Sequence, residues 1–196
     1  MRYPPLRLIV AALFVSVLAA CEMPAPQQQV PQLTYSHLKP YQLDVGRLEV
    51  VTEYRAPLRE PNIEHIMPVS PEAAAKRWAQ DRLQPMGRSG AARFIIRSAP
   101  VVEVPLKVDT GVAGLFKKQQ EARYDAALEV VFQILDERQF PQAEIVARGA
   151  RSRTVPEGTT LNQRDRIWYE MTESLMHDLN GQMEGLIGQY MARWLL

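Results

Sequence analysis

The clearest pattern in the chain is an alternation of apolar and polar side chains over residues 124–134. Apolar residues occupy every second position from Tyr124 to Ile134, whereas Asp125, Glu129 and Gln133 lie between them. A period of two is typical of a strand with one face on a core and the other in water. The alternation therefore predicts a long strand in an antiparallel sheet.

Weaker patterns place three further strands. Residues 42–54 are rich in β-branched side chains, which favour strands. A second strand begins near Ala92, and Pro100 interrupts its continuation, which favours an edge or a bulge rather than a central position. The last covers residues 143–154, where Ile145 and Ala147 are placed to face the core.

The first helix has a clear start. Ser70 supplies a cap, Pro71 suits the first helical position, and Glu72 places an acid in the first turn. The pattern predicts a helix that runs to about Met86, where Gly87 would stop it in the left-handed conformation.

The second helix is predicted from a capping box and a long apolar stripe. Thr160 and Gln163 have the spacing of the box. The stripe recurs at steps of three and four residues and predicts one helix to about Trp194. Its members are Trp168, Met171, Leu175, Leu179, Met183, Leu186 and Tyr190.

These elements follow one another in the order β-α-β-β-β-α. Two helices on one face of a small sheet form a two-layer sandwich. We therefore expect a single α+β domain over residues 41–196, with a mainly antiparallel four-stranded sheet, two helices and a long C-terminal helix.

The N-terminal residues carry a different pattern. Arg2 and Arg7 precede an apolar run of about 11 residues, which is too short to span a bilayer. The run ends in small residues before Cys21, as in a secretory signal. Residues 1–20 are thus predicted to be a signal peptide cleaved between Ala20 and Cys21. Residues 21–40 begin rich in proline and glutamine, which is typical of an extended tether.

The segment Leu18-Ala19-Ala20-Cys21 resembles the lipobox of bacterial lipoproteins. The resemblance implies that Cys21 carries diacylglycerol through a thioether, with a further acyl chain on its amino group. Two or more chains anchor a protein stably. Glu22 in the next position favours the outer membrane, and the domain would face the periplasm. Cys21 is the only cysteine, so a disulfide within the chain is excluded.

The order of elements behind a lipobox resembles that of envelope lipoproteins, including transport-auxiliary and lipopolysaccharide-assembly lipoproteins. The resemblance is carried by the lipobox, the helix with Trp78, the strand 124–134 and the long helix from Leu161. It implies an accessory or assembly subunit of an envelope transport or membrane-maintenance complex, with an envelope protein as partner. The alternative is a lipid- or lipopolysaccharide-binding module with an apolar pocket between sheet and helices.

One candidate contact surface is the loop before the alternating strand. It places apolar side chains beside cations, a combination that suits a bilayer or a protein partner. The alternative is that Leu115 and Phe116 fold back onto the domain. The candidate residues are Val112, Leu115, Phe116, Lys117 and Lys118.

A second candidate is the arginine group Arg148, Arg151 and Arg153. Arginine side chains match the geometry of phosphate oxygens, so these residues could contact a lipid headgroup. The interpretation that we favour is an exposed strand end whose cations discourage pairing with other strands.

The sequence offers no catalytic or metal-binding constellation. Ser70 is explained as a helix cap, and Ser89 lies in a turn that lacks the features of a nucleophile elbow. His37, His65 and His177 have no ligand spacing between them. The net charge of +1 gives no pull towards nucleic acid. We therefore expect a non-enzymatic protein with no metal and no cofactor beyond the acyl groups on Cys21.

Overall fold

The computed structural model describes residues 31–107 and 119–196. The predicted signal peptide, Cys21 and the loop residues 112–118 lie outside this range. The elements in chain order are β1 (Tyr41–Leu43), β2 (Leu48–Thr52), α1 (Pro71–Arg82), β3 (Leu83–Pro85), β4 (Ala91–Ser98), β5 (Val101–Pro105), β6 (Gln120–Leu135), β7 (Pro141–Pro156) and α2 (Leu161–Tyr190). A short 3-10 turn, Ala192–Trp194, follows α2.

Five strands form the main sheet, and β6 is its axis. β6 pairs antiparallel with β7 on one side and with β4 and β5, placed end to end, on the other. β2 pairs with β4 in parallel. The predicted α+β class with a long C-terminal helix is confirmed. The expectation of a mainly antiparallel four-stranded sheet is wrong, because the sheet is mixed and has five strands.

The predicted strand 42–54 is in fact two strands in different sheets. β1 pairs in parallel with β3 in a small separate sheet, whereas β2 joins the main one. The chain bends between them at Gly46, whose N–H donates to the carbonyl of Ser89 at 2.9 Å. A Cβ on Gly46 would lie 3.0 Å from the carbonyl oxygen of Arg88, so a side chain here would crowd the neighbouring backbone.

The first helix begins as predicted and ends early. Ser70 Oγ accepts a hydrogen bond from the N–H of Ala73 at 3.2 Å, which confirms the cap. The helix stops at Arg82 rather than near Met86. Gln84 precedes Pro85, and a residue before proline disfavours the helical conformation. The chain therefore continues as β3.

Both helices pack on the same face of the main sheet. Trp78 of α1 meets Phe94 of β4 with ring centroids 5.6 Å apart, and Trp168 of α2 meets Tyr124 of β6 edge-on at 5.4 Å. Phe94 is paired with Phe132, which lies an even number of residues from Tyr124 along β6. Both ring contacts therefore lie on one face. These aromatic side chains are buried and fill the space between sheet and helices.

The last helix is continuous over 30 residues, about 45 Å. Thr160 forms the predicted capping box. Towards its end the fully buried positions are Ile187 and the following Met191, while the predicted Leu186 is partly buried against the same core. Tyr190 is 55% exposed. The glycines of α2 face open space, and the helix continues through them.

The opposite face of the main sheet is charged, as the alternation in β6 predicts. Glu129 accepts from Arg148 at 2.8 Å and from Arg97 at 3.4 Å across neighbouring strands. The hydrogen bond from Arg148, helped by Arg97, lowers the pKa of the Glu129 carboxyl below its ordinary value. Cross-strand ion pairs therefore cover part of this face, beside an apolar row in which Ile95 and Val131 are paired and buried.

The outer edge of β7 is closed at one residue by a side chain from α2. Gln182 Nε2 donates to the carbonyl of Arg148 at 2.9 Å, and Gln182 Oε1 accepts from the N–H of Arg148 at 3.2 Å. The carboxamide thus occupies the backbone groups that a neighbouring strand would use. A Cβ on Gly149 would lie 2.8 Å from Leu175 Cδ1, so glycine allows α2 to approach this closely.

We expect Gln182→Ala to lower the free energy of unfolding by about 1 kcal/mol, because two partly solvated hydrogen bonds are lost. Urea denaturation measures the change. Gln189→Ala is the matched control, since Gln189 is an exposed residue of the same helix. Equal stability of the two variants would show that the bonds to Arg148 contribute nothing.

Candidate functional site

The candidate site is a groove between residues 33–42 and the last helix. The chain joins the domain here, and Asp81 of α1 holds it. The backbone N–H of Tyr35 and the hydroxyl of Thr34 donate to Asp81 Oδ2 at 2.8 and 3.2 Å. Tyr35 is only 7% exposed, so this part of the predicted tether packs against the domain.

Arg82, the last residue of α1, holds the segment at a second point. Its guanidinium donates to the carbonyl of Lys39 at 2.7 Å and to Glu184 Oε1 of α2 at 2.8 Å. The same group lies over the ring of Tyr41, 4.8 Å from its centroid. Arg82 is 3% exposed. A charge this deeply buried depends on its partners, so the contacts with Lys39 and Glu184 fix the local geometry.

A polar chain connects this arginine to the core. The Asn180 carboxamide accepts from Trp78 Nε1 at 2.8 Å and donates to Glu184 Oε1 at 3.1 Å. Trp78 is fully buried against the sheet. The floor of the groove is therefore continuous with the packed interior, and its geometry is set by both helices.

The wall of the groove is a stripe on α2 formed by Glu173, His177, Asn180 and Glu184, at steps of four, three and four residues. Two open surface clefts of about 420 Å³ each lie along it. Both are lined by Leu38 and Glu184, so they are neighbouring compartments of one groove.

The apolar lining comes from both ends of the described chain. Leu33 and Leu38 line the compartment that contains Glu173 and His177. Leu38 also lines the compartment beside Arg82, together with Leu195 and Leu196. Leu195 is held there because it forms a bridge with Leu43 of β1. The C-terminal residues therefore lie against the first strand.

Two tyrosines, Tyr35 and Tyr41, line the groove. Burial raises the pKa of both above the ordinary phenol value, and they stay protonated at neutral pH, as an unperturbed phenol also does. The hydroxyl of Tyr35 is buried without a hydrogen-bond partner among the described residues, so it is not exposed to a ligand in the groove.

The structure brings together two histidines that the sequence treated as unrelated. His37 and His177 line the same compartment. They are distant along the chain, so no local pattern joins them. The wall of the groove could have been predicted from helical spacing, which is shared by Glu173, His177, Asn180 and Glu184. His65 lies apart, in the loop between β2 and α1.

The three arginines predicted to contact phosphate do not lie on one face of the sheet. Arg148 is bonded to Glu129 on the charged face of the sheet. Arg151 forms an ion pair with Asp178 of α2, on the helix side, and Arg153 shares that side by alternation. Arg148 and Arg151 each have a carboxylate partner within the domain.

The serines considered from the sequence, Ser70 and Ser89, line neither compartment of the groove. Within residues 31–107 and 119–196, no three His, Cys, Asp or Glu side chains are grouped to hold a metal ion. Ser70 caps α1. Ser89 lines a smaller cavity of about 240 Å³ beside the β6–β7 turn. In the same residues, no helix combines the length and apolar character that crossing a bilayer requires.

No family model and no curated protein sequence matches this chain. Among solved structures, it is similar to a minor lipoprotein from Acinetobacter baumannii, at 17% identity and a TM-score of 0.41, over 78% of this chain and 96% of that one. It is also similar to the rare lipoprotein B from Shewanella oneidensis, at 11% identity and a TM-score of 0.37, over 72% and 94%. Both TM-scores lie below 0.5, so these similarities establish neither a shared fold nor a function.

Proposed function

We propose that this protein is a non-catalytic, lipid-anchored subunit of the cell envelope that assists a transport or membrane-maintenance complex, with the groove as its partner-binding surface. Cys21 would hold it on the outer membrane, facing the periplasm. The observation that carries the proposal is the position of the groove, which lies where the segment from the predicted anchor joins the domain.

Chain length limits how far the groove can lie from the membrane. Eleven residues lie between Cys21 and Leu33. Even fully extended, they span at most about 40 Å. Asp81 and Arg82 hold the next residues on the helices, so the tether adds no further reach. An anchored protein would therefore keep the groove close to the bilayer and to proteins embedded in it.

The contents of the groove favour binding. Leucine side chains beside a few convergent polar groups, among them the ion pair of buried Arg82 with half-exposed Glu184, are the usual components of a recognition site. The ion pair between Arg82 and Glu184 joins α1 to α2. These two charges are therefore already partnered within the domain.

A lipid ligand is the second candidate function, and the leucine lining of the two compartments favours it. The pocket predicted between sheet and helices is not its best location, because Trp78, Phe94 and Phe132 fill that space. A lipid would instead lie in the groove, with its acyl chain along Leu38 and its polar end near Lys39.

A photo-crosslinking amino acid at His177 distinguishes these functions in living cells. A protein partner is expected to give an adduct with the mass of a second protein, whereas a lipid ligand is expected to give a small, extractable adduct. The same amino acid at Glu144, on the charged sheet face, is the control. Equal crosslinking at both positions, or none at His177, would contradict a role for the groove.

A further inference from the structure

The outer edge of β7 leaves a row of backbone groups without partners. Residues 150–154 are all exposed. Arg148 directs its N–H and its carbonyl away from β6, since both bond to Gln182. Every second residue of an antiparallel strand shares this direction, so Ala150, Ser152 and Thr154 also direct theirs outward. In the described part of the chain, β7 pairs with β6 alone.

We propose that this edge binds an extended, acidic segment of a partner protein, which adds to the main sheet as a further strand. The inference rests on the proposed function only in that the protein acts through a partner. Backbone hydrogen bonds would supply the affinity, and side chains at alternate positions would supply the selectivity.

The charges beside the edge define the chemistry of the partner. Arg151 and Arg153 lie on the same side of β7. Asp178 neutralises Arg151, whereas Arg153 has no ion pair within the described residues. A strand beside β7 would place every second side chain next to these arginines. Acidic residues at those positions are favoured, because opposite charges across two strands stabilise the pair.

The same charges disfavour a second copy of this chain as the occupant. Two β7 edges paired antiparallel around Ser152 would set Arg151 of each chain opposite Arg153 of the other. Like charges directly opposite destabilise a strand pair. The arginines thus act against self-association and in favour of an acidic partner.

The free edge has defined ends. Gln182 blocks it at Arg148. At the other end β7 finishes at Pro156, which has no N–H to donate. Between them lie three outward-facing residues, enough for a short added strand.

The test measures binding of two fluorescent peptides to the purified full chain by anisotropy. One peptide alternates glutamate with threonine, and the matched peptide has lysine in place of each glutamate. We expect the acidic peptide to bind and the basic peptide to bind about tenfold more weakly. Equal binding of both peptides, or no binding of the acidic one, would overturn the proposal.

Two variants locate the binding. Ser152→Pro removes one outward N–H, together with the hydrogen bond of 2.5 Å from the Ser152 hydroxyl to Asp125 Oδ1, and is expected to abolish binding. Ser152→Ala loses the same side-chain bond but keeps the backbone N–H, so it is the control and is expected to bind the acidic peptide. Arg153→Glu, which alters only charge, is expected to weaken the acidic peptide and favour the basic one. Unchanged binding in Ser152→Pro or unchanged preference in Arg153→Glu refutes the assignment.

These measurements need neither a membrane nor the groove. Their failure would leave the crosslinking result at His177 unaffected. Conversely, a groove that captures nothing would leave binding at the β7 edge intact, so the two proposals can be rejected separately.

Discussion

Cys21→Ser is expected to release the protein from membranes into the soluble periplasmic fraction. The thioether to diacylglycerol requires a thiolate nucleophile, and a serine hydroxyl does not replace it. Each buried methylene of an acyl chain contributes about 0.8 kcal/mol to membrane binding, so loss of two or more chains removes the stable anchor. Fractionation of cells followed by immunoblotting measures the change.

Met23→Ser is the matched control, because it alters a neighbouring residue and keeps the cysteine. It is expected to stay in the membrane fraction and to incorporate labelled palmitate, whereas Cys21→Ser incorporates none. If Cys21→Ser remained with the membrane in high salt, the anchoring proposal would be wrong, and the surface of the domain would have to account for the attachment.

Gly87→Ala is expected to cause a large loss of stability, about 3 kcal/mol. A Cβ at Gly87 would lie 2.5 Å from the backbone of Asp44 and Val45. The N–H of Gly87 also donates to the carbonyl of Val45 at 3.0 Å, so the two segments cannot separate without losing this bond. Backbone cannot move aside as a flexible side chain can. Urea denaturation measures the loss.

Gly181→Ala is the control for this prediction. A Cβ at Gly181 meets no atom within 4 Å, and the residue lies inside α2. Alanine is favoured over glycine in a helix by about 1 kcal/mol, so this variant is expected to gain stability. The prediction fails if both variants change the free energy of unfolding in the same direction.

Glycine is required at Gly87, but for a different reason from the one that the sequence pattern predicts. Its position after an apolar helix predicts a left-handed helix stop. The structure ends the helix at Arg82 and places Gly87 beyond β3, outside the left-handed region. Glycine is required there because another segment passes within contact distance. That requirement comes from tertiary packing and leaves no local pattern.

The surroundings of the candidate contact residues could be predicted only in part from the sequence. Arginine spacing in β7 marks a charged strand, but it does not reveal that Asp178 and Glu129 neutralise Arg151 and Arg148 from other elements. The groove was missed because its walls come from the two ends of the domain. The loop residues Val112 to Lys118 lie outside the described residues and remain a prediction, as does the lipid on Cys21.

The elements whose signals are local can be predicted from the residues alone. Alternation specified β6, because side-chain direction in a strand reverses at each residue. Capping residues specified both helix starts, because a cap bonds to backbone groups only a few residues away. These features depend on neighbours along the chain, so they can be deduced from the residues alone.

Strand order, the parallel pairing of β2 with β4, and the groove depend on tertiary contacts. Strand pairing depends on which backbone edges meet in space, and an isolated strand carries the same alternation for either direction. The contact between Arg82 and Glu184 joins residues from two helices that are far apart in the chain. Such contacts form only when the core brings the helices together, so no stretch of sequence contains them.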